Sequence, residues 1–410
     1  MPLNKKLLIS LIGCTLLILL VTPGVLGTLA KHYIERAVYL SNLNTALTIE
    51  LEEYQQSWFS SRFVINVYTE DEFEETLVPI GSFPAILKHG PLTFVNHQPG
   101  IGAFYLYSNS LKEANLSTPY IGYARAGFLG TVELNINVDL HALSQSYEYS
   151  QLETTGLKLS PLILSIDSNF EFEQINYKIL WPGFKGQHNP RNAYVEDVLL
   201  TGHMNRISDE HWQGSSTANI KQLTFPSSDF KANDLQLTLK NSLIIDESNR
   251  STHIQLSGQA VELQSTWNQW RDAKLDIDIQ RADLTALSSL YDLAERAYLE
   301  FDSPFGEYAQ LEYMAALQTT LPALFSDNAQ VNINDISFVD KESGDKKKIT
   351  GTIDFPDLPE FMDEHLLSLI AKVNGTIKSK NESSGEEKEI QIKNGRLSVD
   401  NQAFDFSLFN

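Results

Sequence analysis

Val132-Glu133-Leu134-Asn135-Ile136-Asn137-Val138-Asp139-Leu140 sets an apolar side chain at every second residue and a polar one between. A period of two fits no helix; it marks a strand with one face buried and the other wet. The pattern recurs. Thr48–Tyr54 and Arg62–Tyr68 alternate on either side of a turn at Ser57–Ser61. Leu235, Leu237 and Leu239 repeat it, as do Ile254 and Leu256, and then Leu275, Ile277 and Ile279. Val331 and Ile333 are followed by Ile336 and Phe338; Ile390, Ile392 and Leu397, Val399 flank Asn394-Gly395, a strong hairpin signal. About fifteen or more strands joined by short polar turns follow from this reading. One-sided strands imply an antiparallel sheet, because parallel strands are apolar on both faces.

Few segments read as helices. Asp283 is placed to cap a helix over Leu284–Leu299, and Glu307–Phe325 forms a second after Pro304-Phe305-Gly306. Together they predict a helical hairpin over about 283–325, whose stripe Leu287, Leu290, Leu293 and Ala294 packs on the sheet. A third helix is predicted over Pro359–Ala371. Trp181–Pro190 reads as an irregular aromatic loop connecting two halves of the sheet, and Lys346-Lys347-Lys348 as a solvated hairpin loop.

Leu7 to Leu29 carries no charge and follows Lys5 and Lys6. As a helix it would span roughly 34 Å, against ~30 Å for a hydrocarbon core. Leu7, Leu11, Cys14, Leu20 and Leu29 are its candidate anchor residues. An uncleaved signal anchor with the following chain outside is the favoured reading. A cleaved signal ending near Val25-Leu26-Gly27, and a lipidated Cys14 within Leu11-Ile12-Gly13-Cys14, are the alternatives. The expected division is a transmembrane anchor over 1–30, a stalk over 31–47 and a β-rich domain over 48–410. The fold class is mainly β (α+β): a transmembrane helix, then a long curved antiparallel sheet with a helical hairpin packed on it.

The chain has 52 acidic against 31 basic residues, a formal charge of -21, which excludes a nucleic-acid partner because phosphate binding needs concentrated Lys and Arg. Hydrophobic residues make up 42%, enough for a real core. The single cysteine, Cys14, precludes an internal disulfide and a thiolate metal site. No nucleophile elbow, phosphate loop or His-Glu-x-x-His motif is present. Asp209-Glu210-His211 and Asp363-Glu364-His365, the densest polar clusters, read as solvated faces. His89-Gly90-Pro91 reads as a kinked or bulged strand, with His89 structural.

Three features resemble one family: the N-terminal anchor, Glu53–Ser61 with its Trp58-Phe59 pair, and His89-Gly90-Pro91-Leu92. They look like the YdgA-like family of bacterial proteins of unknown function. Leu317–Leu324 followed by Val331-Asn332-Ile333, and Asn394-Gly395 near the end, are placed as in that family. The resemblance covers nearly the whole chain. It implies a Gram-negative inner-membrane protein with its β-rich domain in the periplasm, and it supplies no catalytic residues or cofactor.

The expected function is therefore non-enzymatic. The chain meets the lipid bilayer through its N-terminal helix. Half-apolar strands outnumber the helices able to cover them, which points to a sheet groove for lipid or an apolar peptide. The alternatives are an envelope protein-interaction scaffold in motility or surface assembly, using the Trp181–Pro190 loop, and, third, a hydrolase built around His89.

Overall fold

The computed structural model describes residues 5–44, 47–71, 76–90, 92–95, 98–109, 120–128, 130–140, 154–188, 191–209, 211–225, 230–245, 250–265, 268–283, 285–287, 289–290, 293, 315–317, 320, 323–325, 328–355, 373–393, 396–400 and 402–404. The side chains of 5–21 are outside this description. The described residues are mainly β, with 22 strands. They divide into two compact units: Met1–Gln151, Leu159–Trp181 and His203–His211 in the first, and Leu152–Lys158, Pro182–Gly202 and Trp212–Asn410 in the second.

The first unit opens with the long helix α1 (Lys5–Asn44). Then follow β1 (Leu47–Gln56), β2 (Ser60–Asp71), β3 (Thr76–His89), β4 (Leu92–Val95), β5 (Gln98–Ile101), β6 (Phe104–Asn109), β7 (Tyr120–Ala126) and β8 (Thr131–Val138). β9 (Thr154–Leu159) belongs to the second unit but for its last residue, β10 (Leu162–Asn169) belongs to the first, and β11 (Gln174–His188) and β12 (Arg191–Arg206) are divided between the two. Strands β1, β2, β3, β6, β7, β8, β10 and β11 pair antiparallel in that succession. β4 and β5 form a separate hairpin. The β1–β2 turn closes where the Ser57 N–H donates to the Ser60 carbonyl at 2.7 Å. β3 stops at Gly90, whose φ of 141° suits glycine and few other residues.

One face of this sheet is closed by α1. Ala30, Phe63, Ala85, Leu87, Ala103, Phe104 and Ala126 form the buried core, with Leu26, Tyr33, Ile34, Leu51 and Tyr54 packed around it. Tyr33 stacks on Phe170 at 4.7 Å between ring centroids. Residues 31–44, expected to be a stalk, thus belong to the packed helix. Gly27, Ala30 and Ile34 recur at helical spacing and put one stripe against the sheet. The Arg36 guanidinium adds an ion pair to Asp209 at 2.6 Å.

Among the described residues no helix is long and apolar enough to cross a membrane. The side chains of Leu7, Leu11, Cys14 and Leu20 lie outside the described residues, and that of Leu29 is exposed.

The second unit continues with β13 (Trp212–Phe225), β14 (Phe230–Ile245), β15 (Arg250–Gln264), β16 (Gln269–Asp283), β17 (Gln330–Asp340) and β18 (Lys346–Asp354). It ends with β19 (Asn374–Asn381), β20 (Glu387–Lys393), β21 (Arg396–Val399) and β22 (Gln402–Phe404). Each pairs antiparallel with the next, a meander from β13 to β22. Val331, Ile333, Ile336 and Phe338 do lie in one strand, and between Ile333 and Ile336 the register shifts against β18, which keeps apolar residues on one face across the extra residues.

Of the helical hairpin, residues 285–287, 289–290, 293, 315–317, 320 and 323–324 are helical. The Ala286 N–H donates to Asp283 Oδ1 at 2.7 Å, the expected N-cap. Ala286 and Leu324 pack with Ala282, Ile254, Ile279, Leu287, Leu290 and Phe325, so these residues do lie on the sheet. Pro304-Phe305-Gly306, the Pro359–Ala371 helix, Asn394-Gly395, Pro91 and Asp363-Glu364-His365 fall outside the described residues.

Two loop expectations are corrected. Trp181–His188 belongs to β11: Pro182 and Gly183 are carried in the strand because Gly183 takes a φ of 105°. A Cβ there would meet the Val195 carbonyl oxygen at 1.8 Å, so the glycine permits a backbone approach no other residue could make. The division between the units does fall at Trp181 and Pro182. Lys346–Lys348 open β18, where Lys346 pairs with Glu382 at 2.6 Å, and the turn lies before them. Long side chains that reach a cross-strand carboxylate are compatible with an exposed strand, so the charge run is no loop signal.

Candidate functional site

Two features stand out, one in each unit. In the first, the residues singled out by the sequence gather at the seat of α1. Pro23 lies inside the helix and gives no N–H to it. The turn Pro23–Thr28 is held by side chains from β1 to β3. Tyr54 Oη donates to the Gly27 carbonyl at 3.1 Å. Gln56 Nε2 donates to the Gly24 carbonyl at 3.1 Å and reaches Thr28 Oγ1 at 3.4 Å. The indole of Trp58 covers Gly24, and the His89 imidazole lies against Gly27, where an added Cβ would fall within 2.7 Å of Cε1. Backbone bonds lock the base of the seat: His89 N–H to the Phe59 carbonyl at 3.1 Å and Gly90 N–H to the Ala103 carbonyl at 3.2 Å.

His89 shares a 3.2 Å hydrogen bond between Nε2 and Ser61 Oγ, while its Nδ1 has no partner. Burial pushes this imidazole below the ordinary histidine value of 6.5, and the Pro23 and Ser60 carbonyls oppose that shift. Burial raises the Tyr54 phenol, opposed by a hydrogen bond from Ser61. A serine beside a histidine suggests hydrolysis, but Ser61 is 1% and His89 2% exposed, under the helix. In this arrangement the pair lies beneath α1, with the imidazole against Gly27. Trp58 and Phe59 are instead exposed, at 55% and 57%.

Other histidines are spread out. His203 bonds Asn176, His211 bonds Ser208 and His253 pairs with Asp278. Among the described residues no three metal-ligating side chains come together. Asp209, read as part of a solvated cluster, carries Arg36 and Arg206. Arg206 lies three residues away, but the Arg36 partner on α1 is remote and nothing near Asp209 in the sequence announces it.

The second feature is the apolar face of the second unit. Cross-strand partners share a face, so the registers define rows. One row runs Leu239, Leu256, Ile277, Ile333, Gly351, Ile377, Ile390 and Val399, crossing eight strands from β14 to β21. Beside it run Ile254, Ile279, Val331, Ile353, Gly375, Ile392 and Leu397. On its other side run Leu237, Gly258, Leu275, Ile336 and Ile349. The opposite face is polar, as in Lys240, Gln255, Asp278, Asn332, Thr352, Thr376, Gln391 and Ser398. The described hairpin residues cover the Ile254 and Ile279 end. Leu237 and Leu239 remain 36% and 47% exposed. Gly351 and Gly375 leave adjacent notches in the rows. A Cβ at Gly351 would stand 2.4 Å from the Thr376 carbonyl oxygen, which fixes glycine there.

A mainly β antiparallel chain with a helix clamped on one sheet is the class these features define. The chain belongs to the family described as bacterial protein of unknown function (DUF945), whose family model matches residues 4–400. A comparison with curated proteins finds no match.

Proposed function

We propose that this is a non-enzymatic protein of the Gram-negative envelope, held at the inner membrane by the apolar part of α1, with its sheets in the periplasm. The second unit offers its apolar rows to an acyl chain or another apolar chain. The observation that carries this reading is the apolar face between β14 and β21, one row of which crosses all eight strands, with Leu237 and Leu239 exposed at its β14 end. Exposed apolar residues in contiguous rows, backed by a uniformly polar face, mark a binding surface more often than scattered ones do. The uncharged run Leu7 to Leu29 supports the anchor. The burial of Ser61 and His89 beneath α1 supports a function without chemistry. A scaffold role is the weaker alternative, because the loop it relied on is strand.

The test is native mass spectrometry of the full chain. Bound lipid is expected on the wild type and lost from the double variant Leu237→Asp, Leu239→Asp, whose positions are exposed enough to keep the fold. A wild type free of lipid under gentle detergent removal would sink the ligand reading. Protease protection in spheroplasts tests the anchor separately: the sheets should be cleavable from outside.

A further inference from the structure

We infer that Trp58, Phe59, Val25 and Leu29 form a collar that sits in the bilayer interface, so that the first unit rests directly on the membrane. This rests on the anchor reading above. The argument begins with length. Pro23, Gly27 and Ala30 are buried on the sheet, so the helix is committed to the protein from Pro23 onward. Residues 7 to 22 remain to cross the lipid, about 24 Å of helix against ~30 Å of hydrocarbon. A separate stalk would leave that span too short. The deficit closes if the next turns of α1, with the sheet residues they lie on, meet the lipid.

The surface at that point fits. Val25 and Leu29, four residues apart, share the helix side away from the sheet and are 55% and 43% exposed. The β1–β2 turn brings Trp58 and Phe59 to the same level, with the Trp58 ring on Gly24. Going back along α1, contacts pass from Phe104 and Phe170 at Tyr33, to His89 at Gly27, to Trp58 at Gly24. The helix therefore leaves the sheet past the Trp58 turn. Lys31 and Glu35, ion-paired at 3.6 Å, mark where charge resumes. Aromatic residues ringing a helix where it meets the headgroups are the interfacial belt of membrane proteins. With a formal charge of -21, attachment relies on these apolar side chains and not on attraction to anionic lipid.

The experiment uses the full chain in phosphatidylethanolamine–phosphatidylglycerol vesicles, some carrying lipid brominated near the headgroup end of the acyl chain. Flotation reports anchoring, and quenching of tryptophan emission reports depth. The chain has five tryptophans, so Trp58→Phe isolates the contribution of Trp58. Floating chain whose quenching drops by more than half in Trp58→Phe is the expected result. Floating chain quenched equally with and without Trp58 would overturn the collar and leave the anchor standing. Chain that does not float would overturn the anchor and the collar with it.

Discussion

Gly27 of the helix and His89 of β3 approach so closely that one methyl group on Gly27 would stand 2.7 Å from the imidazole Cε1 and 2.8 Å from Nε2. The contact joins the sequence's least conspicuous residue type to its most distinctive histidine. It is the centre of the seat that closes the first unit.

Gly27→Ala should therefore destabilise the first unit by about 1–3 kcal/mol, the usual cost of overpacking a tight site. Chemical denaturation would read it. The double variant Gly27→Ala, His89→Ala should lose less than the sum of the two single changes, because removing the imidazole frees the space the added methyl would occupy and the methyl partly fills the gap the imidazole leaves. Strict additivity would mean that the two residues do not touch in solution.

The same histidine predicts a pH dependence. Its folded-state pKa is depressed by burial, so the unfolded chain takes up a proton near the ordinary 6.5 while the folded chain resists until lower pH. The contribution is full above that value and is lost as the pH falls below it. Denaturation midpoints taken between about pH 7.5 and about pH 5 should fall more steeply for the wild type than for His89→Asn. Equal slopes would remove His89 from the account.

Asp283→Ala should cost about 1 kcal/mol by removing the cap that receives the Ala286 N–H. Asp283→Asn should recover most of it, since an amide oxygen can accept the same bond. Far-ultraviolet circular dichroism during thermal unfolding would separate the two.

Glycines at two kinds of position should respond differently. Gly344 has a φ of 75° and open space around its Cβ direction, so Gly344→Ala should cost only about 1 kcal/mol of backbone strain. At Gly351 the Thr376 carbonyl stands in the way, and Gly351→Ala should cost more than Gly344→Ala and loosen the β18–β19 pair. Hydrogen exchange of the β19 amides would show it.

Much of the sheet was legible because alternation is a local signal. Val132–Val138, Leu235–Leu239 and Leu275–Ile279 declared both strand and face within a few residues. Asp283 declared its cap in the same way. What stayed hidden depends on partners far along the chain. Pro182-Gly183 looked like a break because proline and glycine usually end strands, and only Val195 shows why the strand continues. The seating of Gly27 was obscured by its surroundings: inside the uncharged run Leu7 to Leu29, apolar on every side, no contrast marks the face that meets the sheet. The pairing of Asp209 with Arg36, 173 residues apart, has no local trace at all.

The order in which the chain is made gives the helix seat a further meaning. From β13 to β16 each strand pairs with the one made just before it, so this part of the meander can zip up behind the growing end with short loops to close. The first unit works the other way. Helix α1 is made first, yet its seat takes residues from β1, β2, β3 and β6 and finally Phe170 beyond β10. The helix is therefore made well before its cover is complete, and its buried stripe must wait until the strands that bury it, as far as Phe170, have arrived.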